Sequence, residues 1–477
     1  MRVGVDGFNL AMPRGTGVAT YGRVLTQALT GMGHPVDMLY GLNIGPRTPS
    51  LMREVIFFDS LDQENRRPRP AILSARWLRE AVGDLRPSTA ITVPFTGRVL
   101  SRPFDARMPE HDRIMNVWDL WGRAERHFER WGRFMTVRIP DPPAVMHWTY
   151  PLPIRLEGAR NVYTLHDMVP LRMPYTTLDN KRAYLRLIRG CLRWGDHVCT
   201  VSEASRRDII DLFAVPPGRV TNTYQSAVPA TPPATPDELG AWLHGLFGLQ
   251  RDGYFLFFGA LEPKKNVGRL LEAYLASGVQ TPLVVVGGRA WKSETELRLL
   301  KADPGGKGVA SVQQVRQFEY MPRDWLTGLI QGARAVVFPS LYEGFGLPVL
   351  EAMQLGAPVL TSTESSLPEV AGGAALLVDP YDTAAIADAL RRLDADSALR
   401  ARLSAAGRVQ AGRFSIPEYQ ARLRTLYAAV LAGPAGVPIV APERHGQEPA
   451  RTGHRRSSGG IVEVRSALGN LLRPGAE

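Results

Sequence analysis

The sequence predicts an α/β protein built from doubly wound parallel sheets and divided into two domains. Three observations predict this. A chain of 477 residues exceeds what one hydrophobic core holds and calls for roughly two or three domains. Short unbroken apolar runs of strand length alternate with amphipathic runs of helix length, as crossovers between parallel strands require. Four prolines in PATPPATP, 229–236, interrupt the alternation and mark a linker. The expected division is 1–228, a linker at 229–252, a second domain at 253–415, a last helix at 416–432 and a basic, disordered tail at 433–477.

Composition narrows the function. Apolar content of 44% and charged content of 22% are globular values, and no apolar run reaches the length of a membrane span. The opening MRVGVDGFNL reads as a first strand, not a signal peptide, and Cys191 and Cys199 lack metal-type spacing, so a reduced, cytoplasmic compartment is expected. A net charge of +11 favours an anionic partner: a nucleotide, a nucleic acid or an acidic lipid surface.

In the first domain, Arg2 to Val5 begins a strand, and Val24, Leu25, Ala28 and Leu29 carry helical spacing. Between them lies Gly15-x-Gly17, a candidate phosphate or acceptor loop, although Thr20 stands where a dinucleotide fingerprint has its third glycine. Residues 47–145 give only brief strand signals. Within them Trp118, Trp121, Phe128, Trp131 and Phe134 interleave with Arg123, Arg126, Arg130, Arg133 and Arg138. Such a helix either lies on an anionic membrane or turns its aromatics inward and solvates its arginines. The run NVYTLHD is a strand ending at His166-Asp167, well placed to reach a substrate, although a lone histidine is more often structural. Residues 178–194 form an amphipathic helix with Tyr184, Leu187, Ile188, Cys191 and Leu192 inward. His197 to Ser202 is a strand, and Ser202 begins the next helix as a cap.

The second domain opens with Tyr254 to Gly259, a buried parallel strand. It runs into GALEPKKN and the helix Val267 to Tyr274, so Lys264 and Lys265 stand before a helix N-terminus, where a diphosphate binds well. Strands follow at Leu283 to Gly288 and Gln317 to Met321, the latter placing Tyr320 and Met321 on a base or in the core. The densest motif is Pro339 to Pro358, PSLYEGFGLPVLEAMQLGAP. It reads as strand Ala333 to Phe338, a glycine turn, helix Val349 to Leu355 begun by Pro348 and ended by Gly356, then another strand. Glu343 and Glu351 flank the turn, as acceptors for ligand hydroxyls or as plain surface acids.

The wording of these motifs resembles the family-4 retaining glycosyltransferases, whose fold is GT-B: two Rossmann-like doubly wound domains facing a cleft. The resemblance is carried by GALEPKKN, EGFGLPVLEAM, SSLPEV at 365–370 and LLVDP at 376–380, with weaker support from GTGVATY, TLHDMVPLR and VSEASRRDI in the first domain. It implies that Glu351 holds the ribose and Glu343 the donor sugar, with the backbone of Gly344, Phe345, Gly346 and Leu347 facing sugar and diphosphate. Lys265 becomes the phosphate lysine, Lys264 replaces a common arginine, and His166 lies over the reacting sugar. Gly15 and Gly17 line the cleft and Tyr320 borders the base. One departure is Ala260, where some relatives carry arginine.

The resemblance further implies a cytoplasmic enzyme that moves a sugar, GDP-mannose leading, from a nucleotide-diphosphate donor to a polyprenyl-linked oligosaccharide at the inner membrane face. It implies no cofactor and no metal. Two other classes remain: a non-catalytic GT-B scaffold, and a basic nucleic-acid binder, for which no reader module is recognisable.

Overall fold

The computed structural model describes residues 1–12, 17–62, 83–84, 86–227, 235–288, 290, 293–296, 298–300, 314–434 and 436–439. Gly15 and the tail from residue 440 onward lie outside them.

The strands are β1 (Val3–Asp6), β2 (Val36–Tyr40), β3 (Ser88–Thr89), β4 (Ile91–Val93), β5 (Arg113–Asn116), β6 (Met135–Arg138), β7 (Val145–Trp148), β8 (Ile154–Leu156), β9 (Arg160–Thr164), β10 (His197–Thr200) and β11 (Val220–Asn222) in the front half. The rear half holds β12 (Phe255–Phe258), β13 (Leu283–Val286), β14 (Val315–Phe318), β15 (Ala335–Phe338), β16 (Val359–Ser362) and β17 (Leu376–Val378). The helices used below are α1 (Gly17–Gly31), α2 (Ser50–Asp62), α3 (Leu120–Trp131), α4 (Lys181–Trp194), α5 (Glu203–Phe213), α6 (Pro236–Phe247), α7 (Val267–Ser277), α8 (Arg323–Gly332), α9 (Leu347–Gln354), α10 (Leu367–Ala371) and α11 (Ile416–Ala432).

The rear sheet runs β14-β13-β12-β15-β16-β17, parallel throughout. The front sheet runs β11-β10-β9-β7-β1-β2-β5-β4, with β4 antiparallel at its edge. Each is a doubly wound sheet with a crevice where strand order reverses, between β12 and β15 and between β1 and β7. Burial explains the unbroken apolar runs: Phe255, Leu256 and Phe257, like Val284, Val285 and Val336, are fully enclosed between helical layers.

Several boundaries differ from expectation. The stretch read as linker contains α6, whose N-cap Thr235 and Glu238 form a capping box with Pro236 in the first turn. The arginine–aromatic helix stops at Gly132, which adopts φ 62°, and Met135–Arg138 is a strand of the small β3-β6-β8 sheet. Phe128 and Phe134 are buried, so these aromatics face inward. Lys181 starts α4, because Asn180 caps it by accepting from the Ala183 amide. Beyond Gly433 the chain was expected to be disordered, yet Ile439 is buried and its amide donates to the Leu192 carbonyl at 2.9 Å. Helix α11 returns to the front half: Tyr427 Oη and His147 Nδ1 of β7 lie 2.7 Å apart, and Gln420 donates to the Ala28 carbonyl of α1. Among the described residues no helix is long and apolar enough to cross a membrane.

Candidate active site

The carboxyl end of β12 turns sharply. Gly259 takes φ 133°, and a Cβ on Gly287 would fall 1.9 Å from the Gly259 carbonyl oxygen, so the two strand ends pass backbone to backbone. Pro263–Lys265 then forms one tight turn and Asn266 adopts φ 62° to begin α7. Asn266 is buried and its Nδ2 donates to Pro339 O at 3.1 Å and to Pro380 O at 2.7 Å. The Leu341 amide donates to Lys264 O at 2.8 Å. The lysine loop and the glutamate loop, on either side of the β12/β15 crevice, are thus stitched into one platform.

On that platform Lys265 Nζ lies 2.6 Å from Glu343 Oε1 and 5.0 Å from the Phe338 ring centroid. Ser340 Oγ donates to the same carboxylate oxygen at 2.7 Å. Burial pushes the Glu343 carboxyl up, but Lys265 and Lys264 outweigh it and hold the group below its ordinary value. Lys264 stands beside the pair and also reaches the front half. Its Nζ is 3.5 Å from Glu262 and 3.9 Å from Asp167, which belongs to the front half. Burial would lower the Lys264 ammonium, yet Glu262, Asp167 and Glu343 together raise it, so it stays charged.

The glycine turn meets the front half directly. Gly346 caps α9 with φ 98°, and a Cβ there would stand 2.7 Å from Leu367. A Cβ on Gly344 would stand 2.6 Å from the His166 carbonyl oxygen. Ser205 Oγ bridges this seam, donating to His166 O at 2.7 Å and lying 3.3 Å from Gly344 O. Gly17, the first residue of α1, lies with its Cβ position 4.0 Å from Leu347 Cδ1. The positive ends of α1 and α9 therefore converge on one cleft, an arrangement that favours an anion. Glu351 sits on α9 with Arg323 at 3.6 Å; burial raises its carboxyl and Arg323 partly opposes that.

His166 Nε2 lies 2.8 Å from the Thr149 carbonyl, an acceptor only, so Nε2 carries the proton. Burial lowers this imidazole, against smaller opposing effects of Thr149 and Asp167, and the ring is neutral. Its edge packs on Tyr21 at 5.0 Å between centroids. Tyr320 is 83% exposed on the loop after β14, two strands from the β12/β15 crevice, so the structure leaves it apart from this cluster; Met321 packs on the core. Among the described residues no group of acids, histidines or cysteines could hold a metal.

Spacing and residue type alone did not mark the props of the site. Ser366 Oγ lies 2.9 Å from both the Glu343 and the Phe345 carbonyl oxygens, which share its one proton, and Ser365 Oγ also donates to Glu343 O. Glu369 accepts from the Glu203 and Ala204 amides at the start of α5, 3.0 Å each, and from Tyr224. The SSLPEV motif is therefore the brace of the glycine turn and its tie to the front half. The motif itself was the available signal, as VSEASRRDI was for Ser205.

Known proteins share this architecture. Residues 15–224 match the family "Glycosyltransferase Family 4" and residues 248–410 match "Glycosyl transferases group 1". The O-antigen chain mannosyltransferase B of Escherichia coli is 36% identical over 269 residues, covering 55% of this chain and 68% of that protein. The serotype-specific mannosyltransferase WbdA of Escherichia coli is 30% identical over 263 residues, 54% of this chain but only 32% of that longer protein. Sucrose-phosphate synthase of Thermosynechococcus elongatus superposes with a TM-score of 0.59 at 17% identity, covering 91% of this chain and 99% of that one. Anabaena HepE in complex with UDP-glucose gives 0.56 at 14% identity, covering 90% and 100%.

Proposed function

The chain belongs to glycosyltransferase family 4, group 1, a retaining family, and from that premise we propose that it transfers mannose from GDP-mannose to a growing polyprenyl-diphosphate-linked oligosaccharide of a bacterial surface polysaccharide. One observation carries the reading of the site: Lys265 and Glu343 are paired in a braced crevice onto which two helix N-termini converge. The choice of mannose rests on the similarity to O-antigen mannosyltransferases.

In this reading the donor diphosphate competes for Lys265 and draws it from Glu343. The freed carboxylate, still fixed by Ser340, accepts hydrogen bonds from sugar hydroxyls, while Glu351 accepts from the ribose. The C1–O bond to the diphosphate breaks and charge grows on the departing phosphate oxygens. Lys265, the loop amides and the α9 dipole stabilise that charge. The acceptor oxygen bonds to C1 on the same face and gives its proton to the leaving phosphate, so anomeric configuration is kept. His166, neutral and donating to Thr149, positions the sugar and donates no proton. The acceptor would approach along the front half, at the inner face of the membrane.

A thermal-shift panel of GDP, UDP, ADP and dTDP with their sugars tests this. A ligand at 100 times its dissociation constant adds about 2.7 kcal/mol. GDP and GDP-mannose should shift the melting point, and Lys265→Ala and Glu351→Ala should each abolish the shift. A full shift in either variant refutes the site; a shift with another nucleotide alone refutes the donor.

A further inference from the structure

A second concavity of about 430 Å³ opens in the front half, where α3 and α4 end. Helix α3 follows β5 and α4 leads into β10, so both C-termini lie at the amino edge of the sheet, opposite the cleft. The wall carries the guanidinium groups of Arg133, Arg155 and Arg193 and the indoles of Trp131 and Trp194. Arg155 and Arg193 lie 5.0 and 5.1 Å from the Trp194 ring centroid. Arg155 Nε donates to Thr136 at 3.0 Å, which fixes the fork. Asp84 also lines the wall, but Arg123 Nε holds its Oδ1 at 2.9 Å.

Elsewhere this protein neutralises partly buried arginines with carboxylates, as in Arg113–Asp37 and Arg160–Asp196. Half-buried Arg155 and the exposed Arg133 and Arg193 at the rim have no carboxylate within ion-pair distance among the described residues, although Glu157 feels the charge of Arg155. Three like charges on one concave wall repel each other and focus a positive potential into it. Planar forks match phosphate oxygens two at a time, and the half-exposed Trp131 indole, unlike Trp194 with its two arginines, is available to the apolar side of a sugar or glycerol. The volume lies in the usual range for small-ligand sites, about 300–1,000 Å³.

We propose that this cavity is a second anion site, separate from the donor cleft, that binds a phosphate ester carried on a sugar or glycerol body. A soluble sugar phosphate and a phospholipid headgroup present the same chemistry. The full chain bearing Lys265→Ala, which disables the cleft, is titrated with glucose 6-phosphate while tryptophan emission is followed. In parallel it is sedimented with phosphatidylglycerol or phosphatidylcholine vesicles. Saturable binding of the sugar phosphate, or selective sedimentation with phosphatidylglycerol, is expected. Adding Arg133→Gln and Arg193→Gln should weaken it about tenfold or more. Arg193→Gln alone, at an exposed position, guards against misfolding of the double variant and should weaken it in the same direction. Absence of both binding modes, or binding that survives the arginine substitutions, overturns the proposal.

Discussion

Glu343 and Asp6 are both buried carboxylates, and they titrate in opposite directions. Glu343 has two lysines to offset its desolvation, so its shift is downward. Asp6, at the end of β1, is opposed in its burial by hydrogen bonds from Thr149 and the Phe8 amide and by no lysine, and burial lifts it to about 6. A carboxyl raised above its ordinary value of 3.8 binds its proton more tightly in the folded chain. Its contribution to stability is therefore present below about pH 4 and lost as pH rises through about 6. Asp6→Asn cannot titrate. The stability of wild type minus that of this variant, measured by urea unfolding, should fall by on the order of 2–3 kcal/mol as pH rises across that window. A gap that stays constant with pH would show that Asp6 keeps an ordinary pKa.

At the scale of elements, α11 fastens the end of the rear half to the front sheet. Tyr419, Leu423, Leu426, Tyr427 and Val430 bury one face of it. Tyr427 Oη meets His147 Nδ1, while His147 Nε2 lies 2.8 Å from Thr164 Oγ1. Burial, helped by nearby His166, depresses His147 to about 3, so it works as a neutral hydrogen-bonding group. Tyr427→Phe leaves a ring nitrogen unpartnered in a dry layer and should cost about 1–3 kcal/mol. Denaturant unfolding that shows a cost near zero would remove this bond from the account. Helical periodicity made α4, α7 and α11 legible in the sequence, and apolar runs made β12, β13 and β15 legible. It could not reveal that Tyr427 meets His147, 280 positions away. Residues 47–145 resisted reading because β3, β4 and β6 are short and sit on sheet edges or in a small sheet, where packing on one face leaves a weak pattern.

Across the whole molecule, the two halves are held by a few polar contacts beside the cleft. Glu369 caps the start of α5, Tyr342 reaches Asp208, and Lys264 reaches Asp167. Glu369→Ala strips two helix-head amides of their acceptor, a loss of about 1–2 kcal/mol from the contact between the halves. The variant should keep its donor affinity and lose turnover, with a larger radius of gyration by small-angle scattering. Unchanged scattering together with unchanged turnover would separate the seam from catalysis. At this scale motif wording offered Lys265, Glu343 and Glu351 as candidates, and the structure gathers Lys265 and Glu343 into one pair. Motif wording contained Ser205 and Ser366, but their bracing role stayed hidden because a buried serine serving a distant carbonyl has no spacing of its own.

The contact of Gly344 with the His166 carbonyl bears on how such enzymes can be recombined. A foreign front half grafted at residues 229–236 would inherit the rear half's Lys265–Glu343 platform but not its fit. A productive chimera must match a bare backbone on one side with a carbonyl and a hydroxyl on the other, so the segments around 166 and 205 travel with the turn at 344 as one cassette.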